Sequence, residues 1–292
     1  MKTYTNLYDK ITDFNNLLKS AKNAQKGKRF QPNVAHFNLQ LESEILQLLR
    51  ELKSQTYRPG NYKTFWIHEP KERMISAAPY RDRVVHHALC NITAPIFEKT
   101  FIFDTYANRK GKGTHKAIER YQHFAKQYKY VLKCDIRKFF PSIDHDILKQ
   151  EFRWKIRCPK TLWLMDLILD NSNTQEEHLA YFAGDDLFTP SERRHGLPIG
   201  NLTSQWWGNI YLNRFDHFIT EQLEVGGYIR YVDDFVIFDN NKSRLLGIKA
   251  GMTRFLSQLR LLPHPNKTQI HRVEVYSIPL SKKALARLQG LF

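Results

Sequence analysis

Apolar residues recur at helical spacing over residues 39–53 (LQLESEILQLLRELK), and the turn residues Tyr57-Arg58-Pro59-Gly60 end that predicted helix. Residues 62–67 (YKTFWI) are rich in aromatic and β-branched side chains and predict a strand. Residues 81–98 (RDRVVHHALCNITAPIFE) predict a buried helix that Pro95 kinks or ends. A short apolar strand, interrupted by one acid, follows at residues 131–136 (VLKCDI). Ser142 is placed to cap a helix running to about Lys155, with Asp144 and Asp146 in its first turn, where the helix dipole favours anions. Residues 170–196 are polar and irregular and predict a loop or small hairpin. Residues 203–223 predict one long helix, and residues 243–261 a further amphipathic one. Between them Gly226-Gly227 opens a pair of strands, YIRYV and FVIF, joined through Asp233-Asp234. The pattern is α+β around a central hairpin.

Composition adds a partner. The chain has 292 residues, 42% hydrophobic and 25% charged, which is globular and large enough for one large domain or two modest ones. Its formal charge is +16, with 24 Lys/Arg against 11 Asp/Glu in residues 1–133 and 21 against 18 thereafter. The first part therefore suits a polyanion, unless the whole proteome is basic. No run of about 18 apolar residues suggests a membrane span, and the first residues, MKTYTNLYD, lack an apolar signal core. Cys90, Cys134 and Cys158 are widely spaced, which fits a reducing cytoplasm. The histidines lack zinc spacing, and His86-His87 point in different directions on a helix.

Asp233 and Asp234 are adjacent acids flanked by Tyr231-Val232 and Phe235-Val236-Ile237-Phe238. They could form a solvated turn, but a two-residue hairpin loop prefers Asn-Gly or Asp-Gly. Burying such charges needs a partner, and a hard cation supplies one. Asp135 repeats the theme at the end of its own apolar strand. If the two segments pair, three carboxylates meet and can hold two divalent ions about 4 Å apart for displacement at phosphorus.

Several segments then align with one family. Tyr231-Val232-Asp233-Asp234 resembles the catalytic signature of reverse transcriptases, and residues 134–144 (CDIRKFFPSID) resemble their first palm motif. Residues 196–205 (GLPIGNLTSQ) are similar to the second palm motif, and Asn266-Lys267-Thr268 to a later one. Residues 69–75 (EPKERMI) resemble the fingers segment that holds the triphosphate, and residues 80–88 and 106–115 (YANRKGKGTH) are similar to fingers-to-palm segments of bacterial members. The resemblance implies a right-hand polymerase with fingers and palm and a minimal or absent thumb. Residues 1–130 would be N-terminal extension and fingers, 131–275 palm, and 276–292 a short C-terminal helix. It implies RNA-directed DNA synthesis with two Mg²⁺ ions, or Mn²⁺ in their place, held by Asp135, Asp233, Asp234 and the Ile136 carbonyl.

Further roles follow from the same resemblance. Lys267 would give a proton to pyrophosphate. Lys71, Arg73 and the backbone of Lys138 and Phe139 would hold the triphosphate, and Phe140 would exclude a ribose 2′-hydroxyl. Gly200, Ser204 and Gln205 would line the nucleotide. Tyr231 and the run Arg109, Lys110, Gly111, Lys112 and Gly113 would follow the nucleic-acid backbone. Many reverse transcriptases carry Gln before that Gly and Ser-Pro after it; Ile199 and Ser204-Gln205 resemble instead the enzymes of diversity-generating retroelements. An aliphatic residue there removes a directional contact and with it discrimination. Those enzymes copy a template RNA into cDNA with errors at adenine, and a small basic accessory protein accompanies them. Retron-like and group II intron-like enzymes, an RNA-binding defence protein without synthesis, and a metal-dependent nuclease remain alternatives. The primer-grip pattern of Phe-Leu-Gly type is missing after Lys267, so the thumb is minimal, supplied by a partner, or cut off.

Overall fold

Local chemistry sets some of the helix starts. In the computed structural model, which describes residues 2–68, 72–173 and 179–273, Asp13 caps the helix Phe14–Ala24 by accepting from the Asn16 N–H at 3.1 Å. The predicted helix at 39–53 is Leu41–Lys53, and Ile45, Leu48 and Leu52 form its buried stripe. The helix Tyr80–Glu98 runs past Pro95, so the proline does not end it. Pro95 removes only one ladder bond near the C-terminus, and its neighbours Ala94, Ile96 and Phe97 are buried. This helix packs on Phe14–Ala24, with Tyr80 Oη donating to the Ala21 carbonyl at 2.8 Å and Asn16 Nδ2 to that of Ala88 at 3.1 Å.

Two expectations about helices are corrected. Ser142 does not cap the helix His145–Lys155; its hydroxyl donates to the Lys138 carbonyl at 2.8 Å and closes a separate helical turn, Phe139–Ser142. Asp144 is the cap, accepting from Ile147 N–H at 3.0 Å. The predicted helix at 203–223 is three pieces: Leu202–Tyr211, Asn213–His217 and a π-helical turn, Phe218–Gln222. Thr220 Oγ1 donates to the Asp216 carbonyl at 2.9 Å, a side-chain bond that bends helices. The stretch 170–196 shows no hairpin among the described residues. It contains one helical turn, Thr189–Glu192, started by Asp186, whose carboxylate accepts from the N–H of Thr189 and Phe188. The helix Pro159–Asp170 was not expected, because PKTLWLMDLILD is apolar around most of its circumference.

The chain forms two units, each discontinuous in sequence. The first comprises Met1–Lys99, Asp144–Glu177 and Arg194–Ile210. It is helical apart from an antiparallel hairpin of β1 (Lys63–Ile67) and β2 (Arg73–Ala77). The second comprises Thr100–Ile143, His178–Arg193 and Tyr211–Phe292. Its centre is an antiparallel sheet of β3 (Tyr130–Asp135), β4 (Gly227–Tyr231), β5 (Asp234–Asp239) and β6 (Gln269–Arg272), in spatial order β4-β5-β3-β6. The helix Thr114–Ala125 covers one face, with Tyr121 and Phe124 against Phe238. On the other, Phe235 meets Phe215, and the helix Lys242–Gln258 packs on β3 and β5. Both faces being covered, β5 is a continuous apolar run between its terminal acids. The architecture is mixed α/β. Residues 276–292 and Lys71 lie outside the described residues. Among the described residues no helix is long and apolar enough to cross a membrane.

Candidate active site

The sheet register brings the acids together. Asp135, the last residue of β3, stands directly opposite Asp234, the first residue of β5. The expected pairing of the two segments is therefore present. The β4–β5 ladder ends at Tyr231 and Asp234, so the two-residue loop is Val232-Asp233 rather than Asp233-Asp234. Val232 sits at φ +59°, a left-handed conformation that a β-branched residue rarely holds. The Asp233 carbonyl accepts from the Ile136 N–H at 3.3 Å, and the Asp135 carbonyl from the His264 N–H at 2.7 Å. Ile136 itself is buried.

Like charges directly opposite in a sheet repel. Here the Lys267 ammonium contacts Asp135 Oδ2, and it is about half exposed while the carboxylate is 15% exposed. Among the described residues, no three His, Cys, Asp or Glu side chains converge into a metal cage. The protein donors already gathered are the Asp135–Asp234 pair with Asp233 beside it in the turn.

Beyond Asp135 the chain turns sharply. Lys138 adopts φ +47°, ψ +47° and starts the turn Phe139–Ser142. Lys138 is exposed, Phe139 is buried, and Phe140 is half-buried with its ring 5.3 Å from that of Phe139. Tyr231 is half-buried, and its hydroxyl accepts from Thr114 at 3.2 Å. Arg109 donates to the carbonyls of Ile102 and Thr105 at 2.7 and 3.1 Å, and Lys112 to that of Phe103 at 2.7 Å. Both thus fasten their own loop, while Lys110 is exposed, and Gly111 and Gly113 supply positive φ.

The 196–205 motif lies in the other unit, docked on β2. The Ile199 carbonyl accepts from Ser76 N–H at 3.0 Å. Gly200 has φ +112°, and a Cβ there would stand 2.9 Å from Ile75 Cγ2, so two constraints require glycine. Ser204 Oγ donates to the Pro198 carbonyl at 2.7 Å, and Gln205 is exposed. Arg73 begins β2 and is exposed.

Two residues of these sites escaped the sequence reading. Asn201 is 1% exposed and grips β2 from both sides: Oδ1 accepts from Ala78 N–H at 3.2 Å, and Nδ2 donates to the Ser76 carbonyl at 2.8 Å. Arg230 lies buried one residue before the signature, and nothing in the pattern marks a lone Arg in a strand as buried. His86 is a core residue; burial first, then His87 and Arg83, lowers its pKa to about 3, so the imidazole is neutral.

Residues 63–282 match the family described as reverse transcriptase (RNA-dependent DNA polymerase). Protein YkfC of Escherichia coli (strain K12) is 24% identical over 269 residues, covering 78% of this chain and 68% of that protein. Group II intron-encoded protein LtrA of Lactococcus lactis subsp. cremoris is 23% identical over 185 residues, covering 62% of this chain and 29% of LtrA. Among solved structures, apo telomerase from Candida tropicalis superposes with a TM-score of 0.48 at 13% identity, over 74% of this chain and 45% of that one. Matched over most of its length by that family, with paired acids at the mouth of its sheet, the chain belongs to the reverse transcriptases, the RNA-directed DNA polymerases.

Proposed function

We propose that this chain extends a DNA primer on an RNA template as a right-hand polymerase, its sheet unit serving as the core of the palm. The observation that carries the reading is Asp135 directly opposite Asp234, with Asp233 in the adjoining turn. The donor set fits hard divalent ions, because Mg²⁺ takes one or two carboxylates and completes its shell with substrate phosphates. Asp135, Asp233, Asp234 and the Ile136 carbonyl would hold Mg²⁺ or Mn²⁺, which when bound activates the primer hydroxyl and neutralises the leaving pyrophosphate.

The chain's own residues do the rest. Lys267 keeps the like-charged pair compatible with folding and holds a proton for pyrophosphate. Lys71, Arg73 and the N–H groups of Lys138 and Phe139 grip the triphosphate. Phe140 blocks a 2′-hydroxyl, and Gly200 lets the backbone approach the base pair. Ser204 keeps the 198–204 turn closed, and Gln205 faces the nucleotide. Tyr231 and residues 109–113 follow the backbone of template RNA and cDNA. Ile199, which offers no side-chain hydrogen bond, supports error-prone copying at template adenine in a diversity-generating retroelement, with a small basic accessory protein.

A second reading, a group II intron-like enzyme, is favoured by the match to LtrA. The test is deoxynucleotide incorporation on a primed RNA template with Mg²⁺, beside Asp233→Asn and Asp234→Asn, with the products sequenced. Incorporation by wild type alone, with errors concentrated at template adenines, is the expected result. Evenly spread errors would favour the second reading, and no incorporation with partner and cognate RNA supplied would refute both.

A further inference from the structure

Asp233 lies in the two-residue loop beyond the last ladder pair, Tyr231 and Asp234. Each of its two flanking peptides accepts a hydrogen bond. On the far side the Ile136 N–H donates to the Asp233 carbonyl at 3.3 Å. On the near side Arg230 Nη1 donates to the Val232 carbonyl at 2.9 Å.

The second bond comes from an unusual side chain. Arg230 is 1% exposed and Asp216 is fully buried. Arg230 Nε and Nη2 donate to Asp216 Oδ1 and Oδ2, both at 2.7 Å, and the Tyr228 hydroxyl donates to Oδ1 at 2.8 Å. A two-bond fork fixes the guanidinium plane, which leaves Nη1 directed at the turn. A buried ion pair is often no more stabilising than apolar residues of the same volume, so stability alone does not explain it. Val232, next in the turn, holds a positive φ that persists only where the surroundings over-determine it.

We propose that Arg230, set in place by Asp216 and Tyr228, is the positioning residue that holds the Val232-Asp233 turn and so aims the Asp233 and Asp234 carboxylates. The inference rests on the catalytic reading of those two acids. Arg230 touches no substrate in this role; it acts through one carbonyl. Lysine cannot replace it, because a single ammonium cannot grip both Asp216 oxygens in plane and also hold the turn.

The test uses the full chain with Asp216→Leu, Tyr228→Phe and Arg230→Met combined, which replaces the network by apolar groups of similar volume. Thermal melting reports the fold, and deoxynucleotide titration on a primed RNA template separates kcat from KM. The expected result is a folded protein whose kcat falls about 100-fold, the effect of displacing a reacting group by roughly 1 Å, with KM within about threefold of wild type. A folded triple variant with wild-type kcat overturns the proposal. If the triple variant does not fold, Arg230→Lys, which keeps a cation opposite Asp216, decides in its place by the same kcat criterion. An inactive wild type, or full activity in Asp234→Asn, would sink the catalytic reading and this inference with it. An active wild type and dead Asp234→Asn, with Arg230 variants at wild-type kcat, would sink only the inference.

Discussion

Asn201→Ala tests whether the 196–205 loop is held by one side chain. The substitution deletes the acceptor of the Ala78 N–H and the donor to the Ser76 carbonyl. Both residues are almost fully buried, at 3% and 0% exposure, so water does not replace the lost partner without rearrangement. Leaving a buried polar group unsatisfied costs about 1–3 kcal/mol each, so the pair amounts to about 2–6 kcal/mol. For a unit of roughly 150 residues that melts cooperatively, each kcal/mol lowers Tm by about 2–4 °C, giving a drop of roughly 4–24 °C. The assay is thermal melting followed by far-ultraviolet circular dichroism, with Asn201→Asp alongside. The aspartate retains an acceptor for Ala78 but sets a charge against the Ser76 carbonyl, so it should destabilise at least as much. A Tm within 1–2 °C of wild type for Asn201→Ala would refute the reasoning, since two buried bonds would then contribute almost nothing.

The other predictions use the same logic at other places. Gly200→Ala should destabilise by about 1–3 kcal/mol from backbone strain alone, with the Ile75 contact adding to it, and should raise the KM for deoxynucleotide in a steady-state titration. Val232→Gly relieves the positive φ at some cost in unfolded-chain entropy; Tm should hold or rise slightly while kcat falls, as measured by melting and primer extension. His86 titrates from an ordinary pKa of 6.5 in the unfolded chain to about 3 in the fold. Below about pH 6.5 the unfolded state binds the extra proton, so stability is complete above that pH. It falls by up to about 1.4 kcal/mol per pH unit as pH drops toward 3. His86→Leu should flatten that slope in melts run at pH 7 and pH 5.

Much of the fold was visible in short-range chemistry. Residues 41–53 and 242–258 carry apolar stripes at helical spacing, and the apolar runs of β3 and β5 announce covered strands. The opposition of Asp135 and Asp234 followed from assuming that those runs pair. What stayed hidden depends on partners far away in sequence. Asn201 acts on residues 123 and 125 positions earlier, and Arg230 is explained only by Asp216 on a bent helix. Ser142 is the cap that the sequence suggests, but its hydroxyl is drawn back to the Lys138 carbonyl, and Asp144, expected in the first turn, takes the role. The helix Pro159–Asp170 was missed because an element buried around most of its girth has no polar stripe to betray its period.

The order β4-β5-β3-β6 also has a temporal meaning. During synthesis Asp135 leaves the ribosome roughly a hundred residues ahead of its opposite number. At about 5–20 residues per second that is a wait of roughly 5–20 s. Through that interval β3 is an apolar strand with neither neighbour, since β5 and β6 both come later. The nascent chain therefore carries an unpaired edge, the kind of surface on which misfolding and chaperone capture begin. Contacts of such long sequence separation also make for slow folding. The paired acids meet only after β5 has emerged, and expression at lower temperature or with a holdase should raise the yield of soluble protein.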